Sequence, residues 1–274
     1  MPALQTLKTI AENSKAQQAA MPVLFVGHGS PMNGIEDNEF SQRWEHMGRQ
    51  LPQPDAVLCI SAHWYIPKTL VTAMNRPNTI HDFYGFPPEL FAVQYPAPGN
   101  PALARETAGL IKKTAVGLDH EWGLDHGCWS VVKKMYPDAD IPVLQLSIDY
   151  TKDASWHYEL ARELEPLRYK RILIIGSGNM VHNLRMLDWE KDSQGFDWAL
   201  EINEAFKKAI SANDHQKLIH YEKFGTPGQL AIPTPDHYLP LLYALALVKK
   251  DDELMFFNDK TTMGSLSMTS LKIS

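Results

Sequence analysis

Two cysteines, Cys59 and Cys128, are all that this 274-residue chain contains. So few exclude a disulfide framework and a cysteine-rich zinc site, and they fit a reducing cytoplasm. Long apolar runs are also missing. The longest, Leu239 to Val248, is shorter than the roughly 18–20 residues that span a bilayer, and Pro240 interrupts it. Residues 1–20 lack the apolar centre of a signal peptide. They read as a polar, partly helical N-terminal extension, or as a disordered or loosely docked tail. Positive charge is not in excess: a net charge of −6 argues against nucleic acid or an anionic membrane as partner. No internal repeat, low-complexity run or composition break marks a linker, so residues 21–274 are expected to form one domain. A hydrophobic content of 44% against 21% charged residues is enough to bury an ordinary core.

What the chain does have is an alternation of apolar strands and helical patterns. Pro22 to Val26 reads as a short buried strand. Glu39 to Leu51 has helical spacing, with Phe40, Trp44 and Met47 on one side, and Pro52 and Pro54 stop it. Ala56 to Ile60 is a second buried strand and Leu70 to Met74 a third. Helical patterns follow over Pro101–Lys113, up to Met135, over Ser155–Leu167, Phe196–Ile210, Gln216–Phe224 and Leu241–Val248. Ile141–Ile148 and Arg171–Gly176 read as further buried strands, and Leu254–Asn258 and Ser265–Ile273 as closing ones. The alternation predicts an α/β fold with a central, mostly parallel sheet flanked by helices, the last strands adding antiparallel edges. Residues 75–101 break the pattern with six prolines and five aromatics, including Phe83, Tyr84 and Phe86. That composition predicts an ordered lid or pocket wall.

Histidine is the residue in surplus, with 11 in the chain. His28 stands between two glycines in Gly27-His28-Gly29-Ser30, directly after the first strand. His63 follows the second strand in Ser61-Ala62-His63-Trp64. His126 lies in Asp125-His126-Gly127 at a helix start, His182 follows the strand ending at Gly176, and His237 precedes the helix of Leu241. These positions converge at the carboxyl ends of the strands of an open α/β sheet, where ligands bind. Several neutral imidazoles without cysteine suit zinc, iron or copper, so a metal site is expected there. His46, His157, His215 and His220 read as surface residues. In the loop, His81 and Asp82 either orient a substrate or cap the loop's own backbone. The pair Gly176 and Gly178 hints at dinucleotide binding, but the third glycine and the ribose-binding acid are missing.

These motifs, taken in order, carry a resemblance. Gly27-His28-Gly29-Ser30-Pro31-Met32, Ser61-Ala62-His63-Trp64, Thr79 to Pro87, Tyr95 to Gly99, Asp125-His126-Gly127, Ser177 to Arg185 and Pro235 to Tyr243 resemble the class III extradiol ring-cleaving dioxygenases of the LigB type. Within that family they are most similar to the bacterial 4,5-DOPA dioxygenase extradiol branch, over nearly all of residues 21–274. The resemblance implies cleavage of a catechol by O2 to a muconic semialdehyde at one divalent non-haem metal, with no nucleic acid or membrane involved, in a monomer or homodimer. It implies metal ligation by His28, His63 and His237, with His182 as a further ligand or an acid/base residue and His126 as a second acid/base group. His237 falls where ring-cleaving relatives place a glutamate. The site then departs from the facial triad that holds Fe(II) and also suits zinc, which has no redox chemistry of its own. Fe(II) is the metal expected for oxygen chemistry. Trp64, Phe83, Tyr84 and Trp129 are candidate walls for the ring, or core residues; Arg185, His81 and Asp82 are candidates for the substrate's charged groups. Two other readings are a zinc-dependent hydrolase and a non-catalytic binding protein like the Memo type.

Overall fold

A computed structural model describes residues 20–191 and 193–274. The expected N-terminal extension lies outside the described residues, apart from Ala20. Six strands form the central sheet: β1 (Val23–Gly27), β2 (Ala56–Ser61), β3 (Val143–Gln145), β4 (Ile172–Gly178), β5 (Leu254–Phe257) and β6 (Ser270–Ile273). Their order is β3-β2-β4-β1-β6-β5. The first four run parallel, while β6 is antiparallel to both β1 and β5. The mostly parallel sheet with antiparallel closing strands is thus as expected.

Parallel strands need both faces covered, and the side chains alternate accordingly. Val23 and Phe25 of β1, Leu58 and Ile60 of β2, and Ile172 and Ile174 of β4 join one core layer. Leu24, Val26, Val57, Cys59, Leu173 and Ile175 join the other. The first layer is closed by α2 (Pro101–Leu110), α4 (Ala154–Arg162), α5 (Asp197–Ser211) and α6 (Leu239–Leu245). The second is closed by α1 (Glu39–Gln50) and α3 (His126–Met135), through Trp44, Met47, Trp129, Val132 and Met135. Leu90, Val93 and Tyr95 of the long loop pack into this same layer, so the loop is an ordered wall.

Several elements differ from the sequence expectation. Leu70–Thr72 leaves the central sheet and pairs in parallel with Gly117–Asp119. The run Ile141–Ile148 divides: after β3 the chain turns, and Ile148–Asp149 pairs with Tyr65–Ile66. Ser147 causes the turn, since its hydroxyl bonds to Lys68 carbonyl and to the amide of Leu70. The helix expected over Ser155–Leu167 is two, Ala154–Arg162 and Glu165–Arg168. Pro166, which has no N–H to donate, sits in the second and blocks their fusion.

His157 is the clearest correction, because it is fully buried rather than on the surface. Its Nε2–H donates to the Asp149 carbonyl, and its Nδ1 accepts from the Tyr243 hydroxyl at 2.9 Å. Burial lowers its pKa to about 4, against the ordinary histidine value of 6.5. The unfolded chain therefore binds the extra proton between these values, and His157 contributes stability above about pH 6.5 that is lost as pH falls toward 4. The wild type should exceed a His157→Gln variant in unfolding free energy at pH 7.5, with the gap narrowing by roughly 3 kcal/mol by pH 4. Paired denaturant titrations across that range measure this, and a pH-independent gap would contradict it.

Candidate active site

Three parallel strands deliver the site. His28 follows β1 directly, His63 lies two residues beyond the end of β2, and β4 ends at Ser177-Gly178 beside them. His126 opens α3, whose N-cap is Asp125, and His237 stands just before α6. His182 is held after β4 by a bridge to Leu266. All five histidines meet at the carboxyl ends of the strands. The ring centroids of His28 lie 5.0 Å from His63, 5.6 Å from His126 and 5.3 Å from His237. His63 and His126 are 3.8 Å apart, and His182 stacks on His237 at 3.5 Å with only 6° between the planes. Donor atoms of His28, His63 and His126 form one potential metal-binding group, and those of His182, Asp236 and His237 another.

Hydrogen bonds fix which nitrogen of each ring is free. Ser177 donates its hydroxyl proton to the Gly127 carbonyl at 2.5 Å, so toward His28 it can only accept. His28 Nδ1–H therefore donates to Ser177 Oγ, at 2.9 Å, leaving Nε2 with a lone pair. His63 Nδ1 faces Asp82 Oδ2 at 3.2 Å, and His126 Nδ1 faces the same oxygen at 3.0 Å. His237 Nδ1 bonds to the carboxylate of its neighbour Asp236. An ionised carboxylate only accepts, so in His126 and His237 Nδ1 carries the proton and Nε2 does not, whereas His63 Nδ1 lies near Asp82 without a hydrogen bond to it.

The free Nε2 of His28 lies 3.1 Å from Nε2 of His63 and accepts a hydrogen bond from it. A divalent cation shared by the two nitrogens would take the place of that proton. The separation is one that two imidazole nitrogens can adopt when both are about 2.0–2.1 Å from one metal. Nδ1–H donated to a fixed oxygen is also the usual support of a metal-ligating histidine. Neither ring takes up an additional proton at neutral pH. Burial, reinforced by neighbouring imidazoles, holds the pKa values of His28 and His237 far below the usual histidine range. Burial and then His126 bring His63 down to about 3, and burial brings His182 to about 4. The donor set fits a divalent metal.

Around this centre, Asp125 is wholly buried, and desolvation together with the charge of Asp82 raises its pKa. It accepts from Ser61 Oγ and Gln145 Nε2, both at 2.6 Å, and from the Cys128 amide. The end of β2 and the start of α3 are thereby locked together. Gly127 explains itself here, since a Cβ there would lie 2.9 Å from His63 Cδ2 and 3.3 Å from His28 Cε1. Gly176 and Gly178 are likewise close-approach glycines: side chains would strike the carbonyls of Pro240 and His237. They seat the segment carrying His237, which accounts for the Gly-x-Gly pair without a dinucleotide.

The other sequence candidates separate. Phe83 reaches the site, with its ring edge-on to His126 at 5.6 Å and backed by Phe86 and Phe91. Trp64 and Trp129 are buried core residues, and Tyr84 is 93% exposed. Arg185 is exposed. His81 ties the loop to itself, donating to the Val93 carbonyl. Asp82, left open between two roles, points inward at His63 and His126. Ser177 and Gly127 were not legible as site residues, because only the fold brings them to His28.

Residues 21–269 match the family model of the catalytic LigB subunit of aromatic ring-opening dioxygenase. The chain is 48% identical over 258 residues to the 4,5-DOPA dioxygenase extradiol of Escherichia coli strain K12, covering 92% of this chain and 94% of that relative. It is 33% identical to the 4,5-DOPA dioxygenase extradiol of Beta vulgaris, covering 91% of this chain and 95% of the relative. The crystal structure of an uncharacterized protein from Escherichia coli K12, JW3007, superposes with a TM-score of 0.81 at 44% identity, covering 93% of this chain and all of the other.

Proposed function

This chain belongs to the family of the catalytic LigB subunit of aromatic ring-opening dioxygenase, and from that premise we propose how its five histidines divide the work of extradiol cleavage. The enzyme is an extradiol dioxygenase acting on a DOPA-like catechol with O2. One divalent metal is held by Nε2 of His28, His63 and His237. When bound, it supplies Lewis acidity toward the two catechol oxygens and, as Fe(II), the capacity for oxygen chemistry. The observation that carries this assignment is the 3.1 Å approach of two imidazole nitrogens, His28 Nε2 and His63 Nε2. Three imidazoles alone would be neutral, but Asp236 returns a negative charge through its bond to His237.

His126 keeps its proton on Nδ1 against Asp82, so its Nε2 is the base that takes the catechol's second proton. His182 has no such tie among the described residues and lies flat on His237. We assign it as the acid/base partner that returns a proton as the ring opens, rather than as a fourth ligand. Phe83 is the aromatic neighbour of His126 and forms an apolar wall for the substrate ring. The two buried free thiols, Cys59 and Cys128, suit a cytoplasmic setting.

The test is oxygen uptake. Protein stripped of metal, reloaded anaerobically with Fe(II) and given L-DOPA should consume one O2 per substrate when air is admitted, with a yellow semialdehyde product. The zinc form should consume none. Absence of uptake by the Fe(II) form across a panel of catechols would overturn the reading.

A further inference from the structure

Two buried serines stand side by side at the carboxyl end of the sheet. Ser61 ends β2, Ser177 is the last residue but one of β4, and the two are paired in register. The residues two places before them on the same face, Cys59 and Ile175, belong to the apolar layer under α3. A hydroxyl buried in such a layer costs free energy unless its hydrogen bonds are made, and alanine would fill the row without that cost. The bonds made are alike on both strands. Ser177 Oγ donates to the Gly127 carbonyl at 2.5 Å and accepts from His28 Nδ1 at 2.9 Å. Ser61 Oγ donates to the Asp125 carboxylate at 2.6 Å and accepts the backbone N–H of His63 at 3.3 Å. We propose that Ser61 and Ser177 are positioning residues that form one latch between the metal-binding histidines and α3, so that seating a metal also seats the His126 base.

The latch closes on both sides of His126. A serine hydroxyl has one proton, and each of these two is given to the start of α3. Asp125 is the N-cap of that helix and also accepts the Cys128 amide, so Ser61 grips α3 through its cap. Ser177 grips the carbonyl of Gly127, the second helical residue. The helix comes this close only because residue 127 has no side chain: a Cβ there would lie 2.5 Å from Ser61 Oγ. A metal that fixes His28 and His63 therefore holds, one hydroxyl further on, the residues before and after the proton acceptor. Such coupling is reciprocal: a docked α3 favours metal binding by the same factor as bound metal favours the docked α3.

The inference rests on His28 and His63 being metal ligands, and the experiment separates the two. Amide hydrogen exchange of the full chain is followed without metal and at saturating zinc, in the wild type, Ser61→Ala, Ser177→Ala and the double variant. Zinc affinity is measured by competition with a chromophoric chelator. The reporters are the amides of Trp129, Ser130 and Val131 in the early turns of α3. The amides of α5, which covers the other layer, show the general stabilisation that any bound ligand confers.

In the wild type, zinc should slow exchange at the α3 reporters by about 5- to 150-fold more than in α5, the ordinary range of coupling between two sites. Each single variant should lose part of that excess and the double variant all of it. Ser177→Ala should also weaken zinc binding about 10- to 100-fold, because it strips a ligating ring of its partner. Zinc that slows α3 no more than α5 in the wild type would overturn the proposal, and so would an excess undiminished in both single variants. Zinc binding by His28→Ala equal to the wild type would instead overturn the ligand assignment on which the proposal stands.

Discussion

Gly127→Ala is expected to strip the enzyme of tightly held metal and to cut turnover by more than about 100-fold while leaving the fold intact. Position 127 is the second residue of α3, where alanine is favoured over glycine by about 1 kcal/mol of helix propensity. The damage therefore falls on the site and not on the helix. A methyl group there would press on Ser61 Oγ at 2.5 Å and on the rings of His63 and His28 at 2.9 and 3.3 Å. None of these neighbours can retreat cheaply. Ser61 is held by Asp125, His28 by Ser177 and His63 by Asp82. The two Nε2 atoms, set 3.1 Å apart, would be driven off their common point. Metal content by elemental analysis, oxygen uptake of the Fe(II) form and circular dichroism together test this. Wild-type metal content and turnover would mean that the pair does not share a metal.

His126→Phe should have the opposite profile. The variant keeps its metal and loses turnover by about 10²- to 10⁴-fold, the range set by removing a positioned proton acceptor. Phenylalanine fills the volume of the imidazole beside Phe83 and leaves Asp82 paired with His63, so the ligand set survives. The backbone N–H of residue 126 still finds Asp82 Oδ1, so α3 remains docked. What disappears is the nitrogen assigned to take the catechol's second proton. Metal analysis beside oxygen uptake distinguishes the two variants, and unchanged turnover would remove His126 from the mechanism.

The five histidines were legible in the chain because each sits at a discontinuity that sequence pattern marks well. His28 and His63 end apolar runs, His126 and His237 precede helices, and His182 follows the most regular strand. The parallel sheet followed from the same runs. What lay beyond reach was whatever depends on contact between distant segments. Nothing near Asp82 in sequence says that its carboxylate will meet His126, and nothing near Gly176 says that Pro240 will pack on it. His157 looked like a surface residue because its helix is rich in polar side chains. Its burial is decided by Tyr243 and Asp149, which arrive from elsewhere. The split of Ile141–Ile148 was hidden for the same reason: an apolar run shows that a segment is buried but not which neighbour it pairs with.

The place of β1 in the sheet bears on how the protein is made. It is the first strand of the described residues, yet it lies at the centre, pairing Val23 with Ile174 on one side and with Ile273 on the other. Both partners come from far downstream, so the strand that leads into His28 completes its ladder only after β4 and β6 have been made. His237 also emerges late. The proposed ligand set is therefore complete only after residue 237 has been made. Until β4 and β6 have been made, the apolar segment Val23 to Val26 lacks its sheet partners.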